Sequence, residues 1–88
     1  MSYASHLLTV RNAGREGANK TFALRHNYDT FEEMCAAGRG ECERVLTAAS
    51  CSHSHKQVIR KAFVKNGLAG FDARMKELRH KWDEQEDE

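Results

Sequence analysis

The sequence predicts an α+β fold, an N-terminal β-hairpin packed on three to four short helices. Three observations carry that expectation. Leu8 and Val10 alternate with polar neighbours, and so do Phe22 and Leu24, the pattern of a half-buried strand. Thr30-Phe31-Glu32-Glu33 forms a capping box at a helix start. In the C-terminal half, apolar residues recur at helical spacing. The 88 residues allow one domain with a small core. That domain is expected over residues 1–82, with an acidic, disordered tail over 83–88.

The two strands are expected at 5–12 and 20–27, with 13–19 as the hairpin loop. Gly14, Gly17 and Asn19 would supply its positive-φ positions. After the capping box, Phe31, Met34 and Cys35 share a face, and Gly38 and Gly40 are expected to stop that helix. A second short helix from about Glu41 would bury Cys42, Val45, Leu46 and Ala49. Ser50 and Ser52 are natural N-caps for a third, from His53 to Asn66. Its expected buried face is Val58, Ile59, Ala62 and Phe63, and Asn66-Gly67 would close it. The last helix starts near Gly70. Phe71, Met75, Leu78 and Trp82 fall at 4-3-4 spacing along it, within about 60° on a helical wheel. A lone hairpin is marginal in water, so a homodimer through its edge strand is a natural expectation.

Composition excludes several classes. No apolar run approaches the ~20 residues of a membrane span. The segment from Met1 to Val10 lacks a basic start and is broken by His6, unlike a signal peptide. Cys35, Cys42 and Cys51 are an odd number without a disulfide framework, so a cytoplasmic, reducing setting is expected.

The net charge of +1 conceals strong segregation. Residues 1–28 sum to +3 and residues 29–43 to −4. Residues 56–81 carry Lys56, Arg60, Lys61, Lys65, Arg74, Lys76, Arg79 and Lys81 against Asp72 and Glu77. The last six residues carry −5. Eight bases in two helices can neutralise phosphates or face an acidic protein. Arg15 in the expected loop extends that surface. An ordinary solvated face is the competing explanation.

Cys51-Ser52-His53-Ser54-His55 is the densest group of soft ligands, but C-x-H-x-H does not match the spacing of a structural zinc site. Cys51, His53 and His55 are therefore weak metal candidates, and no metal or other cofactor is expected. A Cys–His nucleophile lacks an oxyanion motif, neighbouring carboxylates diverge on a helix, and no phosphate-binding glycine loop is present. A helix-turn-helix is disfavoured by the long 66–70 connection and by the absence of base-reading Asn or Gln on the last helix.

No motif of a known family stands in the sequence. The expected function is that of a small, non-enzymatic, intracellular regulatory protein that docks on a macromolecule. A protein of nucleic-acid metabolism is the favoured partner, in the manner of short inhibitors or accessory factors of bacteriophage type. The alternative is sequence-tolerant DNA or RNA binding by the basic helices, and a small zinc-binding protein is the distant third.

Overall fold

In the computed structural model the backbone of residues 3–86 and the side chains of residues 6–85 are described. Three α-helices account for nearly all of them: α1 (Tyr3–Ala23), α2 (Phe31–His53) and α3 (Gln57–Glu86). A single 3-10 turn at Arg25–Asn27 lies in the first connection. Neighbouring ends fix the topology. His6 meets His53 and Arg79 meets Glu32, so α2 runs antiparallel to its neighbours. Arg25 meets Gln85, and His6 and Phe63 line one hollow, so α1 and α3 run parallel. The molecule is a slender up-down-up bundle, 48 × 21 × 15 Å along its principal axes.

The expected hairpin is overturned, because no strand exists among the described residues. Residues 5–12, 13–19 and most of 20–27 are one continuous helix or its immediate exit. The two short alternations compete with a helical stripe of Val10, Gly14 and Ala18, all buried. That stripe wins because it packs on α3. The homodimer through a hairpin edge loses its basis with the strands.

The glycines are the physical reason for the error. None has a positive φ. Gly14 and Gly70 serve close approach, where absence of a Cβ lets two backbones touch. A Cβ on Gly14 would fall on the Gly67 carbonyl, and one on Gly70 would fall on the Arg11 carbonyl. Thus α1 and α3 cross backbone to backbone. Gly38 plays a smaller version of this part, since a Cβ there would run into the Thr21 side chain on α1.

The expected helix breaks vanish as well. Gly38 and Gly40 lie inside α2, and Asn66-Gly67 lies inside α3, where Asn66 Nδ2 donates to the Ala62 carbonyl at 2.8 Å. Ser50 and Ser52 are also inside α2, and the buried Ser50 hydroxyl donates to the Thr47 carbonyl at 2.7 Å. The actual turn is Ser54-His55-Lys56. There the Ser54 hydroxyl accepts from the Lys56 amide at 3.1 Å, opening α3. The Thr30 cap stands as expected, accepting from the Glu33 amide at 3.1 Å. Of the 83–88 segment, residues 83–86 continue α3, and the last two lie outside the described residues.

The core follows the α3 stripe. Phe71, Met75, Leu78 and Trp82 are buried with Ala18 and Met34. Val10, Leu46 and Leu68 form a smaller cluster beyond the crossing. Phe31 meets Trp82 edge-on, ring centroids 5.9 Å apart, the geometry that aromatic quadrupoles favour. Several expected core residues are outside: Leu8, Leu24, Val45, Ala49 and Val58 are all exposed, Val58 at 77%.

Two substitutions separate packing from propensity. Phe71→Ala should lower the unfolding free energy by about 3–5 kcal/mol, because a fully buried ring leaves a cavity. Gly40 has nothing within 4 Å of its would-be Cβ, so Gly40→Ala should raise stability by about 0.5–1 kcal/mol. Urea midpoints by circular dichroism check both, and a Gly40→Ala protein weaker than the parent would contradict this assignment.

Candidate binding groove between α2 and α3

The C-terminal half of α2 and the N-terminal half of α3 do not close on each other fully. Between them lies an open groove of about 640 Å³. Its deepest lining residues are buried Ser50 and Leu68, flanked by half-buried Val64 and Ala69, and Thr47, Cys51 and Gln57 lie nearer the surface. One wall carries Arg60, Lys61 and Lys65. At the far end stand Arg39 and Asp72, joined by two hydrogen bonds of 3.0 and 3.3 Å. Lys61 and Lys65 lie one helical turn apart because they are four residues apart on α3.

The charges here are uncompensated. The only carboxylate among the described lining residues is Asp72, and Arg39 already holds it. Neither Lys61 nor Lys65 forms an ion pair among the described residues, and the same holds for Lys56 in the adjoining turn. Arg60 donates from Nε to the Ser54 carbonyl at 2.6 Å. That bond fixes the guanidinium while leaving its charge unmatched. No acid occupies the first turn of α3, so the positive end of its macrodipole adds to the field.

The remaining sequence candidates are scattered and mostly occupied. Arg15 grips Glu77 with both terminal nitrogens, each at 2.9 Å. Arg74 donates to Asn19 at 2.7 Å and to the same Glu77 at 3.0 Å. Arg79 bonds Glu32 at 3.1 Å and Asp83 at 3.3 Å while lying over the Phe31 ring. These arginines clamp helices together. Lys76 is exposed, and Lys81 edges a separate hollow with Phe22, Arg25 and Glu84. Of the nine predicted contact residues, the fold therefore gathers Arg60, Lys61 and Lys65, with Lys56 beside them. The Arg39–Asp72 pair had no sequence signal, since its partners lie 33 positions apart.

The soft-ligand run disperses. Cys51 faces the groove, His53 lies between His6 and Phe63, and His55 sits exposed in the turn. Among the described residues, no group of three or more His, Cys, Asp or Glu could hold a metal ion. Cys35 and Cys42 are half-buried, and burial pushes both thiols up, away from the thiolate. No histidine stands among the described groove residues to activate Cys51. The arrangement can bind, through cations over an apolar floor. No helix among the described residues is long and apolar enough to cross a membrane.

No protein-family model, no curated protein and no solved structure matches the chain.

The Glu77 clamp gives a pH prediction. Hydrogen bonds from Arg15, then Arg74, hold its carboxyl down at about 2, against an ordinary 4.5. A depressed carboxyl pKa stabilises the fold above the unfolded value and loses that contribution as pH falls through the folded one. The clamp's contribution should thus be complete above about pH 5 and fade toward pH 2. Melting temperatures of the parent and Glu77→Gln should differ most above about pH 5, and the gap should shrink steadily as pH falls toward 2. A gap as wide at pH 2 as at pH 6 would contradict the clamp.

Proposed function

We propose that this chain is a non-enzymatic binding protein that docks on another macromolecule, a protein, through the groove between α2 and α3. One observation carries the reading. Arg60, Lys61 and Lys65 stand uncompensated beside an apolar floor, whereas Arg15, Arg39, Arg74 and Arg79 are all engaged within the bundle. Ion pairs on an open surface contribute little, typically about 0–1 kcal/mol. Cations at the rim of a docking trench chiefly speed encounter and select a partner of opposite charge, while the apolar surface that the partner covers supplies the burial.

Sequence-tolerant nucleic-acid binding is the second reading, and the unpaired lysines favour it. Against it stands the aromatic placement. Trp82 is 3% exposed and Phe71 1%, so neither offers a stacking platform.

The reading predicts that the immobilised chain retains a specific protein at about 50 mM salt. A Lys61→Glu/Lys65→Glu double variant should lose that retention by about tenfold or more, equivalent to about 1.4 kcal/mol. Lys76→Glu, away from the groove, should retain the protein normally. Equal loss in both variants would reject the placement, and a labelled DNA or RNA captured in preference to protein would support the second reading instead.

A further inference from the structure

Resting on that reading of the groove, we infer that its occupant is one amphipathic α-helix of a partner protein, acidic along its flank and about four turns long. The length comes from α3. The groove follows it from Gln57 to Asp72, about 22 Å at 1.5 Å per residue. An extended strand would find no sheet edge to pair with there, since both walls are helices and beyond the first turn of α3 their amides are satisfied internally. A helix satisfies its own backbone and needs only an apolar stripe to meet the floor. Half-buried Val64 and Ala69, with the edge of buried Leu68 between them, provide the apolar contact, and exposed Thr47 lines the facing helix.

Charge then selects the helix. Lys61 and Lys65 are spaced to meet two carboxylates four residues apart on one flank of a partner helix. The cationic excess occupies the half of the groove from Gln57 to Lys65. Arg60, Lys61, Lys65 and the N-terminus of α3 lie together there, while Arg39 and Asp72 neutralise each other in the other half. The partner's acids accordingly belong over the 57–65 half of the groove. A nucleic-acid backbone fits this surface less well. It brings regular charge with no apolar stripe, and it would leave the floor hydrated.

Fluorescence anisotropy with the full chain tests the inference at about 50 mM salt. The probe is a labelled synthetic helix of about 18 residues, with Leu at helical spacing and Glu on its flank. Controls are the same composition with the Leu positions shuffled, the same pattern with Lys for Glu, and a DNA duplex of similar length. The patterned acidic peptide should bind at least about tenfold more tightly than any control. Thr47→Arg supplies a sharper arm. It adds positive charge at an exposed site but obstructs the trench, so an inserted helix should bind about tenfold more weakly. A merely electrostatic contact should bind more tightly.

The inference is overturned if the shuffled peptide or the duplex equals the patterned one, or if Thr47→Arg strengthens binding. Absence of peptide binding, with protein retention still dependent on Lys61 and Lys65, would overturn the helical occupant and leave the docking reading intact. Loss of both would end both.

Discussion

The backbone contact between α1 and α3 is the constraint on which everything else turns. Gly14 on one helix meets Gly67 on the other, and Gly70 meets the Arg11 carbonyl. Helix axes normally stay about 8–10 Å apart because side chains intervene. With no Cβ at the crossing, the two parallel helices sink into one another. Phe71 then lies directly against Ala18 and Met34 with no solvent gap. Glycine inside a helix costs about 1 kcal/mol relative to alanine, and close packing must offset this at the crossing. Because α1 and α3 are drawn together, α2 cannot bury both of its flanks. It leaves one trough against α1, near Leu24 and Val45, and the basic groove against α3.

The same packing sorts the cations. Arginine carries a planar fork that can bridge two helices bidentately, and here it does so at Arg15–Glu77 and Arg39–Asp72. Lysine is a point charge on a flexible stem, and Lys56, Lys61 and Lys65 remain turned to water. A basic segment that looks uniform by composition is thus divided into an internal scaffold and a free surface. Arg60 is the exception, pinned by the Ser54 carbonyl at the mouth of the groove.

Parts of this were legible in the chain and parts were not, for definite reasons. Thr30 acts as a cap because its partner amide is only three residues away. Phe71, Met75, Leu78 and Trp82 were readable because large apolar residues mark a helical face by themselves. The α1 stripe of Val10, Gly14 and Ala18 was not, since small residues give almost no hydrophobic signal. Gly14, Gly38 and Gly67 read identically whether they end a helix or admit a neighbour. What decides between those roles is a neighbour on another helix: the Thr21 side chain for Gly38, the Leu46 side chain for Gly67, and for Gly14 the Gly67 backbone 53 positions away in the chain. The groove shares this property. Lys61 and Lys65 were visible as charges, but the engagement of Arg15 and Arg39 depends on acids 62 and 33 positions distant.

The whole bundle rests on the glycine crossing. Gly14→Ala adds one methyl group at the point where the Gly67 carbonyl already lies. By local propensity alone, the change should stabilise α1 by about 1 kcal/mol. Urea denaturation of that single variant measures which effect wins. A lower midpoint, amounting to a loss of about 2 kcal/mol or more, is the outcome required by backbone contact. An unchanged or raised midpoint would mean that α1 and α3 do not meet there, and the basic groove would lose the framework that holds it open.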